Sequence, residues 1–493
     1  MITTNIPLEI HTAQTQKLKE EISYLKEQIE WFKRQLFGKK AEVFVETSPE
    51  QPLLFELPTP PANKQETKVS SFTRTKSASQ NTISFPEDLP IERTIYDLNE
   101  KEKVCPITGG ALVKIGEEVS QKLAFKPGSY FIKEVIRPKY ASPKGGEETV
   151  LTACLPDSII PRCKADETLL ADILVKKFAD HLPLYRQSEI LSRDNIHISR
   201  QVLSNWVVKC GQALKPLYNE LLKAVLKDRN VFIDEVPVDM LSPGKGKTHK
   251  AYMWVMVGGK TSNPFLRVYN FRTDRCYQNA TELLMNFEDG VVHSDKYGAY
   301  EVLANKKKFI WCPCWAHIRR NFIEAEGGDL KFIQLVLRKI KYLFMLERVA
   351  WSRTEDERLR IRQEKEVPII DELILMIKDR FINGKVIPKS KYKEALGYFV
   401  GLIPYLKNYT LHSFARLDNN VAERAVRPLA LGRKNWLFLG NEEGGEAAAI
   451  ILSLVQTCKA LKINPREYLT DVMRRLMSHS SQNLEQLLPH NWS

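Results

Sequence analysis

Three acidic residues, far apart along the chain, carry the chemistry that the sequence suggests: Asp234, Asp295 and Glu423. Glu423 lies in LDNNVAERAVRPLALGRKNWLFLG, from Leu417 to Gly440. There Asp418 reads as an N-cap and Pro428 as a stop, which predicts a short helix over Asn419 to Arg427. Asn420, Glu423, Arg424 and Arg427 fall at i, i+3, i+4 and i+7 of that helix, on one face. Val421, Ala422, Ala425 and Val426 take the opposite face and pack inward. A single carboxylate among cations suits a place where a metal ion meets phosphates, although a solvated amphipathic face is the plainer account of this stretch alone.

The other two acids tip the balance. Asp234 lies within NVFIDEVPVDML and Asp295 at the end of GVVHSD, both strand-like. Glu235 and Asp239 are rivals for the first position, but Glu235 points to the other face of its strand. Hard carboxylate oxygens suit Mg²⁺ or Mn²⁺, which keep room for water and phosphate oxygens. Two such ions about 3.5–4 Å apart support an in-line displacement at phosphorus with no covalent intermediate on the protein. Arg427, with Arg433 and Lys434 in a GRKN loop, are phosphate candidates. In CPCWAHIRRNF, the residues Cys312, Cys314 and His317 invite a zinc reading, but four ligands are needed and no partner pair is near. His317, Arg320 and Asn321 at i, i+3 and i+4 instead form a polar face beside the acids. His293, two residues before Asp295, is either support for that acid or a satisfied core histidine.

The elements that must position these groups follow from pattern. A chain of 493 residues holds several units. Its net charge of +13 favours a polyanionic partner, nucleic acid first. The eight cysteines are scattered, which fits reduced thiols in a cytoplasm. No apolar run reaches the roughly 18 residues of a membrane span, and no signal peptide is apparent. Leu18, Ile22, Leu25, Ile29, Phe32 and Leu36 form a heptad seam, so residues 1–44 read as a coiled-coil dimerisation helix. Residues 45–92, rich in Pro, Ser and Thr, read as a disordered linker. Short alternating runs over 93–160 read as a small antiparallel β domain. Residues 161–227 read as a helical DNA-binding domain. In it Asn195 to Ile198 form a turn, Ser199 caps the next helix, and Arg200 and Gln201 open that helix toward a major groove. From 228 to 326, three strands in a meander and then alternating helix and strand give the order of an RNase H-like α/β core. A helical insertion over 327–417, with an amphipathic helix opening at Pro368, interrupts that core. Residues 418–462 complete it, and 463–493 form a C-terminal helical tail opened by Asn464 and Pro465.

These motifs resemble those of the insertion sequence 66 family of transposases, nearly end to end. The heptad seam followed by FGKKAE, then ADHLPLYRQSEIL, CWAHIRRNF, DNNVAERAVRPLALGRKNWLFLG and the closing NLEQLLPHNW carry the likeness. The resemblance implies an Asp-Asp-Glu transposase with an RNase H-like core and a helical insertion. Its acids fall on Asp234, Asp295 and Glu423, and its Cys-x-x-His element on Cys314 and His317. It implies two Mg²⁺ or Mn²⁺ ions per site, double-stranded DNA as element ends and target, a homodimer or higher oligomer, and accessory proteins of the same element. Two departures stand out. The family's small N-terminal domain holds zinc with two Cys-x-x-Cys pairs. Here Cys105 remains, while Thr108, Ser142 and Gly145 occupy the other positions, so zinc is not expected. Val236 follows the first acid where the family commonly has Thr. The expected activity is 3′-strand cleavage at element ends followed by strand transfer. A DNA-binding protein that has lost catalysis, and a structure-specific nuclease, are the alternatives.

Overall fold

The strand Asn230–Leu241 (β1) is the axis of a five-stranded sheet. Its β-branched and aromatic residues fit a pleated surface, and beyond Asp234 apolar positions alternate between core and rim. The meander continues through Thr248–Lys260 (β2) and Asn263–Arg272 (β3), each antiparallel to its neighbour. Val291–Ser294 (β4) then returns parallel to β1, and Ile310–Pro313 (β5) lies parallel to β4. The resulting order is β3-β2-β1-β4-β5. Crossover helices Tyr277–Leu283 (α4) and Gly298–Asn305 (α5) make the parallel pairings possible, since parallel strands cannot be joined by a hairpin.

These observations come from a computed structural model, which describes residues 157–492 apart from 243, 245, 261–262, 307–308 and 326–327, together with 128, 130–133, 139–140 and 151–152. The heptad helix, the linker and most of the small β unit read from the sequence lie outside the described residues. Of the last, Lys139–Tyr140 pairs antiparallel with Leu151–Thr152. From Arg137 onward the described chain belongs to one compact unit.

Ahead of the sheet run Glu167–Phe178 (α1), Leu184–Arg193 (α2) and Arg200–Leu226 (α3). Asn195 adopts a left-handed φ of 60° in the α2–α3 turn, and the Ser199 side chain accepts from the Val202 amide. This is the turn and cap that the sequence predicts. Arg200 and Gln201 are exposed at the start of α3. The rest of α3 is committed to the core through Leu203, Val207, Leu214, Leu217 and Leu221. It packs on β2 and β3 beside Glu442–Ala460 (α12). The two helices touch backbone to backbone: a Cβ on Gly211 would lie 2.5 Å from the Ala447 Cβ. Every residue of α12 from Ala447 to Cys458 is buried, as expected of a helix covered on all sides. Asn464 caps the following helix Pro465–Arg475 (α13), as read from the sequence.

The segment between β5 and the last part of the core is helical. Trp315–Glu324 (α6), Leu330–Ala350 (α7), Glu355–Ile361 (α8), Val367–Asn383 (α9) and Lys391–Val400 (α10) follow one another. Pro368 does not open an independent helix. A π turn over Arg362–Glu366 joins α8 to α9, and the Val367 amide reaches the Arg362 carbonyl. Proline has no amide for the regular ladder, and the wide turn before it absorbs the defect. Arg362, fully buried, holds Glu347 through Nε and Nη2 at 2.6 and 2.9 Å. It also donates to the carbonyls of Tyr409, His412 and Ala415 at 3.1, 2.6 and 2.8 Å. One guanidinium thus fastens these helices to the 3₁₀ turn and following turns that lead into Asn420–Trp436 (α11).

Two expectations about α11 need correction. Pro428 does not stop it; the helix runs on to Trp436. Leu429 and Gly432 are buried beyond the proline, and Tyr269 Oη on β3 donates to the Ala425 carbonyl at 2.5 Å in the turn before it. Packing of this buried face outweighs the local preference to stop. Arg433 and Lys434 accordingly lie in the last helical turn, not in a loop. Asn419, not Asp418, is the N-cap residue, and its side chain is spent elsewhere.

Candidate active site at the carboxyl ends of the parallel strands

The register of β1 and β4 sets the first two acids side by side. The last paired residues are Phe232 and His293, and Asp234 and Asp295 each follow two residues later. Both therefore lie on the same face where the two parallel strands part. Crevices at the carboxyl ends of such strands are the usual binding places of open α/β sheets. β5 ends on the same edge: Pro313 pairs with Ser294, and the Cys314 amide donates to the Ser294 carbonyl at 3.0 Å.

Glu423 arrives from α11, one turn into the helix. Its approach is fixed by Asn419, which sequence reasoning did not single out. The Asn419 side-chain amide donates to the Ile233 carbonyl at 2.8 Å, and its backbone amide reaches Cys314 Sγ at 3.2 Å. The Trp315 amide adds a bond to the Leu417 carbonyl at 3.1 Å. Three chain segments that are remote in sequence are stitched at this point. Glu423 Oε1 lies 3.6 Å from His317 Nδ1, and its Oε2 lies 3.6 Å from Arg320 Nη2, both on α6.

Burial and mutual repulsion mark the first acid. The Asp234 carboxyl is pushed up to about 7 by burial first, then by the negative charges of Glu235, Asp295 and Glu423, against the opposing Glu235 amide bond. Asp295 Oδ1 and Glu423 Oε1 are buried without a hydrogen-bond partner. Unsatisfied carboxylate oxygens among like charges fit a divalent cation, which would restore the missing interactions. The hard-oxygen donors Asp234, Asp295 and Glu423 match Mg²⁺ or Mn²⁺.

Glu235 sits on the opposite face, as strand alternation requires. There Tyr300 Oη donates to it and Arg275 Nη2 binds it at 2.9 Å. Its carboxyl is pushed up to about 7, chiefly by burial. Arg275 also lies 3.7 Å from Asp295 Oδ2 and stacks over the Tyr297 ring at 4.2 Å. Neither Arg275 nor Tyr300 stood out in the sequence, because nothing local links them to the acids. Asp239, the other rival, pairs with Lys250 at 2.8 Å near the sheet's end.

The remaining sequence candidates separate. Cys314 and His317 lie against Glu423, whereas Cys312 is buried, pushed well up as a thiol by that burial. Asn420 turns back to Asp418, donating to its Oδ2 at 2.6 Å. Asn321 bonds the His317 carbonyl of its own helix. Arg424, Arg427 and Lys434 are exposed along α11. Arg433 Nη1 is engaged with the Pro237 carbonyl at 2.7 Å, pinning the end of α11 to β1. His293 is a core residue: it stacks on Phe232 with ring centroids 4.4 Å apart and bonds Asn230 Oδ1 at 2.9 Å. Burial lowers it to about 3, so it stays neutral. Arg200 and Gln201 are exposed at the start of α3, where Gln201 donates to Asn205 Oδ1 on its own helix at 3.3 Å. No helix among the described residues is long and apolar enough to cross a membrane.

A mixed α/β protein whose sheet gathers carboxylates at one crevice, covered by a late helix, is the class that the fold and site define. Comparison with known proteins gives the family. The family described as "Transposase IS66 family" matches residues 162–447, and "IS66 C-terminal element" matches 453–490. "Transposase C of IS166 homeodomain" matches 24–94, and "zinc-finger binding domain of transposase IS66" matches 102–144. The chain is 32% identical to the uncharacterized protein y4jD of Sinorhizobium fredii, over 85% of this chain and 83% of that one. A second uncharacterized protein of that organism, y4qI, is 32% identical over 81% of this chain and 75% of its own length. The chain belongs to the IS66 family of transposases. The match over 102–144 runs against the expectation that zinc has no part in that stretch, although Cys105 is the single cysteine within it.

Proposed function

We propose that the protein is an Asp-Asp-Glu transposase that cuts the 3′ strand at the ends of its element and joins the freed 3′-hydroxyl to target DNA. The reading is supported by the strand register that sets Asp234 and Asp295 on one face, by the charge of Glu423 acting on the Asp234 carboxyl, and by the unsatisfied buried oxygens of Asp295 and Glu423. The strand order β3-β2-β1-β4-β5, antiparallel then parallel, supports an RNase H-like core. Asp234, Asp295 and Glu423 would hold two Mg²⁺ or Mn²⁺ ions, which would supply Lewis-acid activation of the attacking oxygen and stabilisation of the leaving one.

The chain's own residues do the rest. Asp234 and Asp295 hold their oxygens at fixed spacing because both grow from paired strands. Arg275 balances the charge behind Asp295, and Arg320 does the same for Glu423. Arg424, Arg427 and Lys434 line α11 outside the acids and would track a phosphate backbone; Arg433 holds the helix in place for them. Arg200 and Gln201 offer a second, separate contact to duplex DNA. The working form is a homodimer or higher oligomer joined through the N-terminal heptads, acting in the cytoplasm on the nucleoid with accessory proteins of the same element. The test is strand cleavage and joining on end-containing DNA with Mg²⁺ or Mn²⁺. Asp234→Asn abolishes both products; full activity in that variant would overturn the assignment.

A further inference from the structure

We infer that Cys314, His317 and Glu423 form a binding site for a thiophilic divalent metal of the zinc class, distinct from the all-oxygen site in its sulfur and nitrogen donors and sharing Glu423 with it. One ligand atom from each of the three residues lies within 4.8 Å of the other two. His317 Nδ1 and Glu423 Oε1 stand 3.6 Å apart, near the separation of about 3.3 Å that two bonds of about 2.0 Å subtend in a tetrahedral shell. Both atoms are buried and have no hydrogen-bond partner. Cys314 is held from two sides: it is the N-cap residue of α6, and its sulfur receives the Asn419 amide. The Asn419 and His317 amides favour a thiolate at this sulfur against the burial that otherwise pushes the thiol up to about 12, so the thiolate forms with the metal.

The donor set decides the class of ion. A sulfur, an imidazole nitrogen and one carboxylate oxygen match three-ligand zinc sites that leave a fourth position for water. Magnesium does not take thiolate, so this trio is not a second view of the oxygen site. Binding is a simple exchange: the Cys314 thiol gives its proton to solvent as the sulfur–metal bond forms, and nothing is oxidised. The consequence for activity rests on the function proposed above. A Glu423 oxygen given to zinc is withdrawn from Asp234 and Asp295, so zinc-class ions suppress magnesium-supported strand cleavage.

The test uses the full chain and Co²⁺, whose tetrahedral visible bands and near-ultraviolet sulfur-to-cobalt transition report a thiolate ligand directly. Wild type binds Co²⁺ with that transition and with release of a proton, and Zn²⁺ then displaces the cobalt and removes the transition. Cys314→Ser loses the share of the transition due to this site, and His317→Ala, at a partly exposed position, weakens binding by more than about tenfold. Equal spectra in wild type and Cys314→Ser, or no sulfur transition at all, overturn the inference. His317→Ala guards against misfolding of the cysteine variant, since it alters a ligand at the rim rather than a buried side chain. The readout needs no DNA. A chain that binds cobalt as stated but never cleaves would sink the proposed function alone; one that cleaves without the transition would sink this inference alone.

Discussion

Asp234 is the residue whose titration should be visible before any substrate is added. Its carboxyl, ordinarily near 3.8, is held at about 7 by burial and by the neighbouring acids. Below about pH 4 the folded and unfolded chains both carry that proton, and the site costs nothing. As pH rises the unfolded chain sheds it first, so stability falls until about pH 7, where the folded site ionises too. The full cost is up to about 4 kcal/mol, less whatever Glu235, also pushed to about 7, shares of the same titration. Asp234→Asn removes the charge and should raise the melting temperature of the metal-free chain above pH 7 while abolishing strand cleavage. Thermal melts across pH 4 to 8 with a chelator check it, and a variant no more stable than wild type at high pH would refute it. Mn²⁺ or Mg²⁺ should offset the same cost in wild type and do so more strongly as pH rises, because protons compete for the carboxylate.

At the scale of elements, two substitutions probe what holds the site's frame. Arg362→Met leaves the buried Glu347 without its charge partner, keeping only the Trp351 Nε1 bond, and frees the carbonyls of Tyr409, His412 and Ala415. It should cost about 3–5 kcal/mol in denaturant titrations, and adding Glu347→Leu should recover most of that. A double variant no better than the single one would mean that the carbonyl bonds, not the ion pair, dominate. Gly211→Ala tests the crossing of α3 and α12. The new methyl would meet the Ala447 Cβ at 2.5 Å. Overpacking of about 1–3 kcal/mol should outweigh a helix-propensity gain of up to about 1 kcal/mol, giving net destabilisation.

The same elements show where sequence reasoning reaches. β1 was legible to the residue, because its apolar run and alternation are local properties. The Ser199 cap and the Asn464 cap were legible for the same reason. Pro428 misled because its local tendency to end a helix is outweighed by burial of Leu429 and Gly432 against parts of the chain far away in sequence. Asn419, Arg275 and Tyr300 were invisible, since each acts on a residue brought near only by the sheet. Asp234, Asp295 and Glu423 could be singled out from their places on two strands and a helix, but the adjacency of the two aspartates depends on the parallel register of β1 and β4.

Over the whole molecule, a net charge of +13 attracts DNA at long range without saying where it lies. Salt dependence separates that general field from contacts with phosphates. Each phosphate neutralised by a lysine or arginine releases condensed counterions, and contributes about 0.9 to the slope of log affinity against log salt on duplex DNA. Arg427 and Lys434 are exposed on α11 and free to make such contacts. Arg427→Ala and Lys434→Ala together should lower the slope by nearly 2, and weaken binding about equally on element ends and unrelated duplex. Arg433→Ala should behave differently. Its guanidinium holds the Pro237 carbonyl, so its loss should lower the melting temperature as well as affinity. Arg200→Ala at the start of α3 offers the contrasting case, because a base contact there would weaken binding to element ends more than to random sequence. If Arg427→Ala with Lys434→Ala left the slope unchanged, the exposed face of α11 would not be the phosphate track, and DNA would have to approach the acids from the α6 side, past Arg320.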